Sequence, residues 1–204
     1  EGHHDDEEEG HHDDEEEGHH DGHKHGTFDP HFWHDPLTAI DAINEITRNL
    51  STLNVSKKSV FTKNATIYVN ELTSLDKWIG SEVSKVPSEK RLLVTNHQTM
   101  GYFANRYGFR ILGTLVESLS TDKNHTIKGM ITIMDKIRDN GLNAVFSEMQ
   151  IPDKIAKTVS EETNATIVPL YSESLGAPGS DSDTYVKMMR SNVNSIVNGL
   201  NNSL

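Results

Sequence analysis

Between Phe61 and Val86 the apolar residues fall on a single helical stripe. Phe61, Ala65, Tyr68, Leu72, Leu75, Ile79, Val83 and Val86 follow one another by steps of three or four. Such steps keep side chains on one face of a 3.6-residue turn, so the spacing predicts one helix over about 58–86. At 1.5 Å per residue it measures about 40 Å, as long as a small lobe is wide. A helix of that reach can act as a strut between lobes, and the remaining segments must be arranged around it.

Upstream of the strut, TFDPHFWHDP over 27–36 reads as a stiff aromatic loop bearing two histidines, its prolines opposing a helix. Asp35 is placed to cap the following helix, with Pro36 at its first position. That helix is expected over roughly 36–50, with Leu37, Ile40, Ile43, Ile46 and Leu50 as its apolar residues. From residue 91 the pattern changes to short strands at 92–95, 109–112, 143–146 and 166–170. Helices alternate with them near 98–107, 126–139, 153–163 and 182–199. Tyr107-Gly108 and Asn140-Gly141 are helix stops, and Pro152 is a helix start. The fold class that follows is α/β: a long linker helix, then a small parallel sheet covered by helices.

The charge is confined to one end. Residues 1–25 hold twelve Asp and Glu against one Lys, a net of −11 out of a formal −12 for all 204 residues. The remainder is nearly neutral and gives no reason to expect a nucleic-acid partner. The first 24 residues are three copies of one octad, EGHHDDEE, EGHHDDEE and EGHHDGHK. With almost nothing apolar to bury, the segment is expected to be disordered. It also carries His3, His4, His11, His12, His19, His20, His23 and His25, eight of the twelve histidines. Imidazole pairs beside carboxylates chelate divalent ions weakly and in many arrangements, so the repeat is read as an auxiliary metal-capture loop. The domain reading is a disordered His/acid-rich loop over 1–26, a ligand loop and long helix over 27–90, and a C-terminal α/β lobe over 91–204.

Cysteine is absent, which excludes disulfides and thiolate metal sites. No apolar run approaches the 18 or so residues of a membrane span. The chain opens inside a charged repeat, so a further N-terminal part is expected. Six Asn-x-Ser/Thr sequons, starting at Asn49, Asn54, Asn64, Asn124, Asn164 and Asn201, fit an exported and glycosylated protein.

Ligands of open parallel sheets bind beyond the C-terminal ends of the strands. That rule selects His97 after the first strand, Glu148 after the third and Glu173 after the fourth. His31, in the stiff loop, can reach the same edge. Two imidazoles and a carboxylate suit Zn2+, which takes about four ligands in a tetrahedral shell. Water or a residue from a further N-terminal part fills the remaining place. His34 lies three residues after His31, a shared face on a helix that the prolines oppose. His34 and Glu148 are the candidates for supporting the ligands from behind. Glu148 has alternatives: it orients a histidine, pairs with a lysine, or caps the helix beginning at Pro152. Trp33 and Tyr102 are read as packing residues. HExxH, GxSxG, P-loop and GxGxxG motifs are missing.

These segments resemble the zinc/manganese substrate-binding proteins of ABC transporters, the cluster A-I metal-binding family. DPHFWHDP over 29–36 is similar to the family's second-ligand motif, and the charged run before it to the flexible loop of zinc-specific members. VTNHQTMGYFA over 94–104, followed by Arg106-Tyr107-Gly108, resembles the third-ligand motif. VFSEMQ over 145–150 resembles a strand whose Glu supports the site. YSESLG over 171–176 matches the segment carrying the fourth ligand. The resemblance implies His31, His97 and Glu173 as ligands, and a histidine at 97 implies Zn2+ ahead of Mn2+. It implies two α/β lobes joined by one rigid helix, an extracytoplasmic location, no enzymatic activity and a membrane permease as partner. Three departures stand out. The N-terminal lobe that supplies the first histidine ligand is absent from this chain, Glu173 stands where Asp is usual, and His34 replaces an apolar residue.

The expected action is capture and delivery of Zn2+, with affinity falling below about pH 6 as imidazoles protonate. A zinc-dependent hydrolase is the first alternative, with Glu148 as the one nameable base. A metal buffer acting through the His-rich repeats is the second.

Overall fold

The computed structural model describes residues 29–115, 123–149 and 154–201. The His-rich repeat, with its eight histidines, and the helix start expected at Pro152 lie outside them. A 3-10 turn over Phe32–His34 leads into α1 (Pro36–Leu53), and α2 (Lys58–Val83) returns antiparallel to it. Asp35 caps α1 by accepting a hydrogen bond from the Leu37 amide at 2.8 Å, with Pro36 at the first position.

α2 is the strut. Its 26 residues span about 39 Å. The apolar stripe divides along its length. Leu72, Leu75, Ile79 and Val83 are buried in the core, while Phe61, Ala65 and Tyr68 are half-buried on the side of α1. The helix ends at Val83, three residues before the expected limit, because Pro87 disfavours helical backbone just before it. Val86 still enters the core through a turn in which its amide donates to the Val83 carbonyl. Around the α1–α2 hairpin Ile46, Leu50, Leu53, Val55, Val60 and Ile67 remain exposed.

The sheet has four parallel strands in the order β2-β1-β3-β4. These are β1 (Leu92–Thr95), β2 (Arg110–Thr114), β3 (Ala144–Glu148) and β4 (Thr166–Leu170). α3 (Gly101–Tyr107), α4 (Lys123–Asp139), α5 (Lys154–Thr163) and α6 (Tyr185–Leu200) complete the fold. Gly108, at φ +72°, closes α3 as its sequence position predicted. Phe109 donates its amide to the Ala104 carbonyl, so it finishes that helix and the ladder starts at Arg110, one residue later than expected. β3 runs two residues beyond its apolar stretch, because Ser147 and Glu148 pair with Pro169 and Leu170. The chain turns one way from β1 to β2 and the other way towards β3. A crevice therefore opens at the C-terminal ends of β1 and β3.

Candidate metal site

His97 follows β1 by two residues. Its carbonyl accepts from the Thr95 hydroxyl and the Thr99 amide, both at 2.9 Å, which fixes the loop that carries it. Glu148 ends β3 and Glu173 follows β4 by three residues. His31 precedes the 3-10 turn. One ligand-capable atom from each of His31, His97 and Glu173 lies within 4.8 Å of the others. Nε2 of His31 and Nε2 of His97 are each 3.7 Å from Oε1 of Glu173. The edge of a tetrahedron with bonds of about 2.05 Å is about 3.3 Å, close to the spacing of Glu173 from each imidazole. Side-chain exposure rises from 12% at His31 through 32% at His97 to 59% at Glu173, so the group opens to solvent on the Glu173 side.

Each imidazole is backed by a carboxylate on its other nitrogen. Asp29 Oδ1 accepts from His31 Nδ1 at 2.7 Å and from the His31 amide at 2.9 Å. Glu148 Oε1 lies 2.5 Å from His97 Nδ1. The second contact brings the carboxylate against the ring nitrogen without the geometry of a hydrogen bond. A carboxylate can only accept, so the Asp29 bond favours the His31 form with its proton on Nδ1 and Nε2 turned to the shared point, and Glu148 lies where it can do the same for His97. Of the three roles open to Glu148, its position against His97 fits the first.

His34 takes a different place. The prolines do not prevent a turn: the His34 amide donates to the His31 carbonyl at 3.3 Å. His31 itself is not helical, so the two rings do not share a face. The His34 ring is fully buried, lies outside the converging group, and among the described residues has no hydrogen-bond partner on either nitrogen. Burial, reinforced by the nearby charge of His31 and opposed by that of Asp29, lowers its pKa to about 4.

The loop carrying His31 is tied down on both sides. Trp33 donates its indole N–H to the Ser172 carbonyl at 2.8 Å, and the Tyr185 hydroxyl donates to the Trp33 carbonyl at 2.7 Å. Burial pushes the Tyr185 pKa up, so it keeps the proton it donates. Arg106 of α3 holds Asp76 of α2 through two bonds of 2.7 Å and approaches Asp35 at 3.3 Å. The Tyr107 hydroxyl also donates to Asp76. Asp76 is held below the usual carboxylate range, chiefly by the Arg106 guanidinium. Trp33 is thus a hydrogen-bonding residue as well as a packing one. Asp29 and Ser172 were not singled out from the sequence. For Asp29 the signal was its place two residues before a candidate ligand. Ser172 gave none, since its partners are distant in the chain.

Among the described residues no helix is long and apolar enough to cross a membrane. The family described as "ZnuA: Zinc-uptake complex component A periplasmic" matches residues 2–199. The manganese-binding lipoprotein MntA of Bacillus subtilis is 34% identical over 177 residues, 84% of this chain and 57% of the relative. The periplasmic zinc binding protein TroA from Treponema pallidum superposes with a TM-score of 0.76 at 30% identity, over 85% of this chain and 64% of that one. A manganese-bound periplasmic metal binding protein from Candidatus Liberibacter asiaticus gives 0.74 at 28% identity, over 87% and 65%. The chain spans a little over half the length of the curated relatives it matches. With a match running over nearly its whole length, the chain belongs to the ZnuA family.

Proposed function

We propose that this chain is the metal-capturing part of an extracytoplasmic substrate-binding protein that delivers Zn2+ to the membrane permease of an ABC importer. The observation that carries the reading is the convergence of two Nε2 atoms and a Glu173 oxygen within 4.8 Å. A carboxylate lies against the Nδ1 atom of each histidine, which supports binding through Nε2. His31, His97 and Glu173 are the ligands, and Asp29 and Glu148 orient the two imidazoles. Two imidazoles favour Zn2+ over Mn2+, which forms weaker complexes and prefers oxygen donors. Similar proteins are named for either metal, and the donor set is what supports Zn2+ as the cargo of this chain.

Three protein ligands leave one tetrahedral place, on the exposed Glu173 side. A further lobe supplying a histidine would complete it, and the apolar residues left open on the α1–α2 hairpin suit such a lobe as a docking face. The segment 1–26 acts as a collecting loop, 27–90 as ligand loop and strut, and 91–204 as the lobe that holds His97 and Glu173. What speaks against the hydrolase alternative is that Glu148, its one nameable base, accepts from Ser172 and faces His97.

The test is Zn2+ titration against a competing chelator, with and without residues 1–25. One equimolar tight site should survive the deletion while weaker, multiple binding disappears. Loss of nearly all binding would instead assign the function to the repeats. In the intact chain His97→Ala should lower affinity at least about tenfold. Unchanged tight binding would remove His97 from the site. Competition between Zn2+ and Mn2+ in the same assay tests the cargo.

A further inference from the structure

Ser172 touches no candidate ligand atom, yet its bonds lead to the surroundings of all three. It is 3% exposed and directly precedes Glu173. Its hydroxyl donates to Oε2 of Glu148. The other oxygen of that carboxylate faces His97 Nδ1. Its carbonyl accepts the indole N–H of Trp33, two residues from His31 and 139 residues away in the chain. Behind it, Tyr171 is clamped by Asn192, whose side chain accepts from the Tyr171 amide at 2.9 Å and donates to its carbonyl at 2.6 Å. The end of β4 is therefore fixed to α6 before the chain reaches Ser172.

We propose that Ser172 is the positioning residue that sets the three ligands in register, its hydroxyl acting on His97 through Glu148 and its carbonyl acting on the His31 loop through Trp33. The proposal rests on the metal-site reading. The physical reason lies in how a carboxylate divides its two oxygens. With Oε2 occupied by the Ser172 hydroxyl, Glu148 cannot swing its carboxylate without breaking a buried hydrogen bond. Oε1 then stays beside His97 Nδ1, which favours the ring form that leaves Nε2 free for the ion. Without the hydroxyl the carboxylate rotates about its terminal bond, and His97 samples the other tautomer and other ring angles. The carbonyl contact is separate, since it belongs to the backbone and survives any side-chain change at 172. Trp33 uses it to fix the distance between the His31 loop and the Glu173 loop.

Two readouts on the full chain test this. In the first, nitrogen-15 imidazole shifts of the metal-free protein at fixed neutral pH report the tautomer of His97. Wild type should show a single Nδ1–H form, and Ser172→Ala a mixture. In the second, Zn2+ affinity is measured in a double-mutant cycle of Ser172→Ala and Glu148→Ala. Ser172→Ala alone should weaken binding about tenfold, the usual scale for groups that orient a ligating histidine. It should add no further loss once Glu148 is gone. Trp33→Phe, which keeps the ring and removes the N–H, should weaken binding several-fold, and its effect should multiply with that of Ser172→Ala. If wild type binds no equimolar Zn2+, the metal-site reading falls. If wild type binds but Ser172→Ala matches it in both affinity and His97 tautomer, the assignment of Ser172 is overturned. Equal losses from Ser172→Ala with and without Glu148 would overturn the relay through that carboxylate.

Discussion

His34 should make this fold acid-sensitive, and replacing it with leucine should remove the sensitivity. In the folded chain burial holds its pKa at about 4, against an ordinary value of 6.5. Between those two pH values the unfolded chain binds a proton that the folded chain refuses. Stability therefore rises with pH across this window and is lost as pH falls through it. One pKa unit is worth about 1.4 kcal/mol, so the drop from 6.5 to about 4 amounts to about 3 kcal/mol once pH is well below 4. Partial protonation makes the loss about 1.4 kcal/mol at pH 5.5 and about 2.6 kcal/mol at pH 4.5. The assay is urea unfolding of wild type and His34→Leu at pH 7.5, 5.5 and 4.5, with metal chelated so that binding does not add its own proton dependence. Leucine is close to histidine in volume and does not titrate, and acid-sensitive groups elsewhere cancel in the difference between the two proteins. At pH 7.5 His34→Leu should be at least as stable as wild type. Its advantage should then widen by about 1.4 and about 2.6 kcal/mol at the two lower values. A difference that stays constant within about 0.5 kcal/mol would refute the reasoning and mean that His34 is reachable by solvent in the folded chain.

Three further outcomes follow from the same contacts. Asp29→Ala should lower Zn2+ affinity about 10- to 100-fold by freeing His31 Nδ1, and an unchanged titration would assign Asp29 to the loop alone. Leu75→Ala, at a fully buried position on the strut, should cost about 2–5 kcal/mol in urea unfolding, whereas Leu53→Ala at the exposed hairpin tip should stay within about 0.5 kcal/mol. Equal losses would show that the tip is packed in solution. The contribution of Asp76, whose pKa Arg106 depresses, is present at neutral pH and disappears as pH falls below about 4. Arg106→Gln should therefore flatten the stability profile of the protein in that range, and an unaltered profile would place the Asp76 partner elsewhere.

What the sequence made legible was whatever depends on periodicity and on local stops. The strut appears as a stripe from Phe61 to Val86, and its burial over Leu72, Leu75, Ile79 and Val83 follows that stripe. Gly108 and Gly141 both adopt the positive φ that ends a helix. The end of β3 was hidden because a hydrophobic run stops at Phe146, while the ladder continues through Ser147 and Glu148. Those two residues are buried although polar, and such burial has no one-dimensional signature: the Ser172 hydroxyl, distant in the chain, donates to one oxygen of Glu148, and His97 lies against the other. The strand-end rule picked out His97 and Glu173, which the fold brings together with His31, because it is a statement about topology. It could not find Ser172, Asp29 or the hydrogen bond from Trp33, which depend on side-chain direction. Sequence thus selected the side chains that converge, while the groups packed behind them emerge only when β3, β4 and the His31 loop are brought side by side. Those aiming groups matter because an imidazole protonated on Nε2 cannot bind an ion through that atom.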